Sequence, residues 1–536
     1  MIMVVIKFTY IMFYMLKIIQ KHLDTKLIKL SAILAFIYCL LFNTAILIYK
    51  FAYYKATIFR GILELSKDFC YIYIFVFIAF FGLNVHRLVL KIGTGFLFIT
   101  SAITSYYIYF FKINPTKQVI GSFFSTDLNE VYELTSIKLI IWIIFCLFTC
   151  FYTIKSFTAE NSKSFVTKLL SATCVLIFVY NIITPSFKIL KNYFPVQYLH
   201  NTYLNFAGNF GNKNYACIDI SNQYDFRDNS DDDIIGVLVI GESARFDHFG
   251  INGYARDTTP YLKTVQNLIS FKAKSSSNLT YISVPSLLSR YPASQIENSR
   301  QENSFLSILT NLGFNTTWIG TQTLMRSFAN FDLSNIYNDV NFTIVPGGSA
   351  LFSLNDHDEK ILPFIKEIIT NSEKQFLVVH TSGSHWNYNA RYPKEFEYFT
   401  PTCPIKVKGD ASDCDKLALV NSYDNSILYT DFFLSNLIDL LKNKNAFLLY
   451  VSDHGESLGE DGYYGHGGPL LTEQVTVPLI VWVSDDFKAK YPKSVSSIKN
   501  YANTEISHDY VFHSILDCLN IDSDIIDKDL SICKSS

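Results

Sequence analysis

Five long apolar runs follow one another in the first 190 residues, at 31–49, 69–83, 92–111, 137–152 and 168–183. A hydrocarbon core takes about 20 residues of helix to cross, and aromatic residues at the run ends suit the interface. With no water in lipid to bond the backbone, each run is expected as a helix. Buried helices of a soluble core are the alternative reading, but five such runs in succession favour a membrane domain. Residues 1–20 are also apolar, yet they carry Lys7 and Lys17 and lack a small-residue cleavage site. They read as an uncleaved leader or a misassigned upstream start rather than as a span.

The short loops orient this domain. Lys21, Lys26 and Lys29, the 87–91 loop and the 155–168 loop are basic and predict cytoplasmic placement. Lys55, Arg60 and Lys67 lie in an outer loop and run against the rule. An odd number of spans from an inside N-terminus puts everything after about residue 190 outside the cytoplasm. The net charge of −2 offers no basic face to a nucleic acid. Five of the ten cysteines lie in the apolar half and behave there as small apolar residues. Outside the cytoplasm disulfides can form, and Cys403 with Cys414 is the leading pair, Cys518 with Cys533 the second. Cys217 is left over. The expected division is a membrane domain at 1–187, a linker at 188–233 that lies partly on the membrane surface and ends in an acidic, solvated run, and a catalytic domain at 234–536.

The catalytic half alternates buried strands with helical stretches, which predicts a layered α/β domain. Strands are expected at 234–240, 316–320, 375–380, 446–451 and 475–483. Several end in chemically useful side chains. The first delivers Glu242, and 446–451 runs into Ser452-Asp453-His454-Gly455, where Gly455 is expected to allow a sharp turn. A carboxylate and an imidazole at a strand's C-terminal end stand where α/β folds place their chemistry. Two carboxylates and one imidazole suit Zn²⁺. Thr280 and Ser283 are expected just before a helix whose first turn holds Pro285; that helix N-terminus would favour an anion. A metal would make the Thr280 hydroxyl a competent nucleophile. His385 and His466 are left to hold substrate oxygens, protonate a leaving group or bind a further zinc. Taken singly, each histidine could be a surface residue and Glu242 or Asp453 a helix cap; jointly those readings are much weaker.

The motifs GESARFDHFGINGY (241–254), NLTYISVPSLLSR (278–290), GSHWNYNARYP (383–393) and SDHGESLGEDGYYGHG (452–467) resemble the phosphoethanolamine transferases of Gram-negative envelopes. These belong to the alkaline phosphatase and sulfatase superfamily and include lipid A modifiers that confer polymyxin resistance. The resemblance implies a five-helix membrane domain plus a periplasmic α/β domain, a monomer in the bacterial inner membrane. It implies Zn²⁺ held by Glu242, Asp453 and His454, with Thr280 as nucleophile and fourth ligand. It places His385, His466 and Arg326 on the substrate side. STDLNEVYEL (125–134) resembles the lipid-contacting segment, so Thr126 and Glu130 are expected at the donor head group. The implied donor is phosphatidylethanolamine; the acceptor is lipid A or another envelope glycan or protein. One departure stands out: Ser276 and Ser286 occupy positions where relatives often carry a cysteine pair, while Cys403 and Cys414 fit another family bridge. A sulfatase-fold hydrolase, a phosphoglycerol transferase and a non-enzymatic membrane-anchored zinc protein are the alternatives. A sulfatase would need Cys or Ser in a C/S-x-P-x-R context, which Thr280 does not supply.

Overall fold

The structure is a computed structural model that describes residues 24–53, 58–125, 131, 134–157, 164–186, 188–211, 218–299, 301–322, 339–344, 357–370, 373–404 and 411–534. The chain forms two compact units, Met1–Ile120 with Ile137–Ala207, and Gly121–Ser136 with Gly208–Ser536.

In the first unit the helices are α1 (Thr25–Tyr38), α2 (Thr44–Tyr53), α3 (Ile58–Leu83), α4 (Arg87–Phe111), α5 (Lys117–Ser125), α6 (Ile137–Ser156), α7 (Phe165–Ile183) and α8 (Val196–Gly211). Among the described residues five stretches are long and apolar enough to cross a membrane: Thr25–Ile48, Arg60–Leu83, Arg87–Phe111, Ile137–Ser156 and Phe165–Ile183. Four begin earlier than the sequence suggested, at 25, 60, 87 and 165 rather than 31, 69, 92 and 168. The Asp24 carboxylate accepts the N–H groups of Lys26 and Leu27 at 3.1 and 3.4 Å and starts α1 at Thr25. Arg60 and Lys67 were expected in an outer loop, but both belong to α3, where Asp68 is buried and paired. It meets Lys50 at 2.5 Å and the Tyr193 hydroxyl at 2.7 Å. Tyr193, Phe194 and Tyr198 were expected on the membrane surface. They are buried in this unit's core with Tyr38, Phe42, Phe80 and Phe98, where the Asn43 amide exchanges two hydrogen bonds with the Phe194 backbone.

The second unit is built on an eight-stranded sheet. Its strands are β1 (Ile235–Gly241), β2 (Leu268–Lys274), β3 (Asn315–Gly320), β4 (Phe342–Ile344), β5 (Gln375–His380), β6 (Ala446–Ser452), β7 (Thr476–Val483) and β8 (Ile506–Ser507). Their order across the sheet is β8-β2-β7-β6-β1-β5-β3-β4. Only β7 runs against the rest. Alternate residues of each central strand serve opposite faces: Leu238 and Ile240 join one core, Val237 and Val239 the other. Helices α9 (Thr280–Leu287) and α11 (Asp509–Cys518) supply Val284, Leu287, Phe512 and Ile515 to the first face. Helix α10 (Lys416–Leu441) supplies Leu419, Tyr423, Ile427 and Leu437 to the second. This is a three-layer α/β domain.

Disulfides join Cys403 to Cys414 and Cys518 to Cys533, with Cα separations of 5.8 and 5.1 Å; Cys217 lies outside the described residues. The acidic run before β1 is not simply solvated. Asp228 pairs with Lys374, Asp231 accepts from the Tyr491 hydroxyl at 2.8 Å, and Asp233 meets Lys490 at 2.9 Å. Pro285 is not in the first turn of α9, because that helix starts at Thr280 itself. It sits near the C-terminal end, where a missing N–H removes a single intrahelical bond.

Candidate metal and nucleophile site

Strands β1, β5 and β6 are parallel neighbours, so their C-terminal ends open on one edge of the sheet. Strand β2 runs the same way, since β7 is antiparallel to both β2 and β6. The topology therefore brings four loops together: Glu242 after β1, residues 275–279 leading to Thr280 after β2, residues 381–385 after β5, and Asp453-His454 after β6. That edge is where open α/β sheets bind ligands.

Glu242, Asp453 and His454 are fully buried, and each offers a ligand atom within 4.8 Å of the others. His454 Nε2 lies 3.5 Å from Glu242 Oε1 and 3.4 Å from Asp453 Oδ2. Its Nδ1 donates to the Gly455 carbonyl at 2.9 Å, which fixes the tautomer and leaves Nε2 facing the carboxylates. Asp453 Oδ1 accepts from the N–H groups of Ser243 and His454 at 3.1 and 2.7 Å, whereas Oδ2 is buried with no hydrogen-bond partner among the described residues. The Thr280 hydroxyl is half-buried. It donates to Glu242 Oε2 at 3.1 Å and lies 3.2 Å from His454 Nε2. Thus the structure gathers all four residues expected at the metal. His466 packs tilted against His454 with ring centroids 4.2 Å apart, and the His385 ring centroid is 6.0 Å from that of His466. Arg326, Thr126 and Glu130 lie outside the described residues.

The two carboxyls are pushed in opposite directions. Burial opposes ionisation of both carboxyls. At Glu242 the imidazoles of His454, His385 and His466 outweigh burial and hold the carboxyl well below the usual carboxylate range. At Asp453 burial and the neighbouring Glu242 charge push the carboxyl far up. Two buried carboxylates and an imidazole nitrogen, one oxygen of the set orphaned, form a donor set that a divalent zinc ion fits.

The loops around the site are held tightly. Ser243, with φ of 56°, takes a left-handed conformation unusual for a residue with a side chain. Its hydroxyl donates to Glu242 Oε1 at 2.8 Å and its carbonyl accepts the Tyr423 hydroxyl of α10 at 2.7 Å. Gly383, at φ +48°, packs on the Glu242 backbone so closely that a Cβ would come 2.8 Å from the Glu242 oxygen. Asp358 holds that loop through the N–H groups of Ser382 and Gly383 at 2.9 and 3.1 Å. Gly455 is not needed for a left-handed turn. It is needed for room, because a Cβ there would sit 2.2 Å from the Glu473 carbonyl oxygen.

Three residues at the site were not singled out from the sequence. Ser243 is one, and its adjacency to Glu242 was the available signal. Gln322 donates to Glu242 Oε2 at 3.0 Å, from a position just past β3 that no motif marks. Glu456, two residues after His454, approaches His466 Nδ1 at 3.3 Å and is fully buried.

The family model described as Sulfatase matches residues 235–521, and that described as phosphoethanolamine transferase EptA/EptB matches residues 73–205. The chain is 27% identical to the Kdo(2)-lipid A phosphoethanolamine 7''-transferase of Salmonella typhimurium, over 92% of this chain and 94% of that one. It superimposes on the integral membrane lipooligosaccharide phosphoethanolamine transferase A of Neisseria meningitidis with a TM-score of 0.78 at 24% identity, covering 94% and 98% of the two chains. The periplasmic domain of EptC from Escherichia coli, solved in complex with Zn, matches 58% of this chain and 89% of its own length with a TM-score of 0.52 at 25% identity. With five helices long and apolar enough to cross a membrane ahead of a sulfatase-type α/β domain, the chain belongs to the sulfatase family and is similar over most of its length to phosphoethanolamine transferases.

Proposed function

We propose that this protein transfers phosphoethanolamine from phosphatidylethanolamine to an envelope acceptor, a lipid A phosphate or a glycan hydroxyl, through a covalent adduct on Thr280. The observation that carries this reading is the Thr280 hydroxyl within 3.2 Å of both Glu242 and His454, in a buried cluster otherwise made of metal-type donors. Glu242, Asp453 and His454 would hold Zn²⁺, with Thr280 beside it. Bound there, zinc would lower the pKa of the Thr280 hydroxyl and offset charge on the phosphoryl oxygens.

The chain's own residues divide the work. Thr280 Oγ, its proton passing along the hydrogen bond to Glu242 Oε2, attacks the donor phosphorus; a Thr280 oxygen–phosphorus bond forms and the bond to the diacylglycerol oxygen breaks. His385 and His466, on the more open side of the cluster, hold phosphoryl oxygens and supply the proton to the departing oxygen. The acceptor oxygen then attacks the adduct and restores Thr280, a ping-pong sequence. Arg326 is assigned to the phosphoryl group, and Thr126 and Glu130 to the donor head group. In this reading residues 1–187 hold the membrane spans, 188–233 lead on to the catalytic domain at 234–536, and the part up to Ala207 packs with the first unit. The protein is a monomer of the inner membrane with its catalytic domain in the periplasm, as the C-terminal periplasmic domains of the similar EptC proteins support. The test is mass spectrometry of lipid A and core oligosaccharide from cells with the wild-type gene, with Thr280→Ala and with none. The reading requires a phosphoethanolamine-sized increment in the first alone; the same increment in all three contradicts it.

A further inference from the structure

A buried imidazole far along the chain joins the two loops on which this chemistry depends. His508 follows β8 directly and is 1% exposed. Because β8 is parallel to β2, it emerges at the same sheet edge as residues 275–279. His508 Nε2 lies 3.0 Å from the Ser452 carbonyl oxygen, one residue before Asp453. A carbonyl can only accept, so Nε2 carries the proton and Nδ1 is left as an acceptor. Nδ1 faces Ser276, 3.3 Å from its N–H and 3.3 Å from its hydroxyl, four residues before Thr280. The His508 N–H donates to the Lys274 carbonyl at 3.0 Å, which seats the ring at the start of that loop. Beside it, Ser275 Oγ is within 2.5 Å of the Asp453 carbonyl oxygen, a second tie between the same two segments.

We propose that His508 is a positioning residue: one ring spans from the segment leading to Thr280 to the strand end that delivers Asp453 and His454, and so sets where the Thr280 oxygen stands relative to both. The proposal rests on the reading of Thr280 as the group that takes the phosphoryl. His508 touches neither Thr280 nor substrate, so its loss should move the rate of adduct formation and not donor binding. A shift of even 1 Å at a reacting atom costs on the order of 100-fold in rate.

The experiment uses the full chain purified in detergent, loaded with zinc and mixed with phosphatidylethanolamine micelles. Wild type is compared with His508→Leu, His508→Gln, His508→Asn and Thr280→Ala. The readouts are the rate of adduct formation by rapid quench, the half-saturating donor concentration, the metal content and the thermal midpoint. His508→Leu should slow adduct formation by roughly 10- to 100-fold while half-saturation and metal content stay at wild type. His508→Gln, which can keep the bond to Ser452, and His508→Asn, which can keep the bond to Ser276, should fall between. If His508→Leu does not fold, the two amide variants decide. Adduct formation at the wild-type rate in the folded variants overturns the proposal, and so does a rate loss that merely tracks lost metal or lost folded protein. An adduct that still forms in Thr280→Ala overturns the underlying nucleophile assignment instead, whatever the His508 variants do.

Discussion

Adding one methyl group at Gly455 should disable the site without removing any ligand. In Gly455→Ala the new Cβ would lie 2.2 Å from the Glu473 carbonyl oxygen, 3.2 Å from its carbon and 3.4 Å from Arg245 Cγ. Close C···O contacts in proteins are about 3.3–3.6 Å, so one segment must yield by roughly 1 Å. Neither yields freely. The Gly455 N–H donates to the Gln474 carbonyl at 2.8 Å, and the Gly455 carbonyl accepts His454 Nδ1 at 2.9 Å. The displacement therefore passes to the His454 ring, whose orientation that carbonyl sets. Overpacking of this kind destabilises by about 1–3 kcal/mol. Loss of a ligand's orienting partner weakens metal binding about 10- to 100-fold, and a reacting group displaced by 1 Å loses about 100-fold in rate. The assay is phosphoethanolamine transfer in detergent, with metal titration and thermal unfolding on the same preparations. Gly253→Ala is the control, because Gly253 sits at φ +95° with nothing within 4 Å of its Cβ; it should cost about 1 kcal/mol of backbone strain and no activity. Wild-type transfer and metal affinity in Gly455→Ala would refute the reasoning.

Two further outcomes are expected. Glu242→Gln, Asp453→Asn and His454→Gln should each lose both bound zinc and transfer, whereas His466→Ala should keep its zinc and lose transfer; elemental analysis beside the transfer assay checks this, and full zinc in Asp453→Asn would contradict the ligand set. Asp431 of α10 accepts the N–H groups of Tyr261 and Leu262 at 2.8 and 2.9 Å, yet burial pushes its carboxyl up to about 7. An unfolded Asp titrates near 3.9, so the folded state holds an extra proton between those values. The stability this supplies is complete below about pH 4 and is lost as pH rises through 7. Thermal unfolding should thus show a midpoint that falls from pH 5 to pH 8, with a shallower fall in Asp431→Asn; an unchanged slope in that variant would contradict the account.

Much of this arrangement was legible in the sequence because the signals were local. The β5 and β6 strands are uninterrupted apolar runs, and buried parallel strands read that way. Glu242, Asp453 and His454 stand directly at strand ends, so their convergence followed once the strands were parallel. What was missed depended on pairing rather than pattern. Strand β2 alternates Phe271 and Ala273 inward with Lys272 and Lys274 outward, and it lies next to the short edge strand β8; its lysines hid it among loop residues. Gln322 and His508 reach the site through sheet order alone. The extra turns of α3 were obscured by Asp68, whose charge is answered by Lys50 and Tyr193 from distant parts of the chain. Gly455 looked like a turn residue, but the reason for glycine there is the Glu473 carbonyl eighteen residues on, which only the folded chain brings near.

The central claim is that Thr280 carries the phosphoethanolamine. Ser283 is the neighbouring hydroxyl that could replace it, but Ser283 is fully buried and its Oγ donates to the Leu279 carbonyl at 3.1 Å. The direct measurement is peptide mapping by mass spectrometry after the zinc-loaded protein has met phosphatidylethanolamine with no acceptor present. The account predicts a phosphoethanolamine adduct on Thr280, absent in Thr280→Ala and discharged when acceptor is added. An adduct mapped to Ser283, or full transfer by Thr280→Ala, would contradict it.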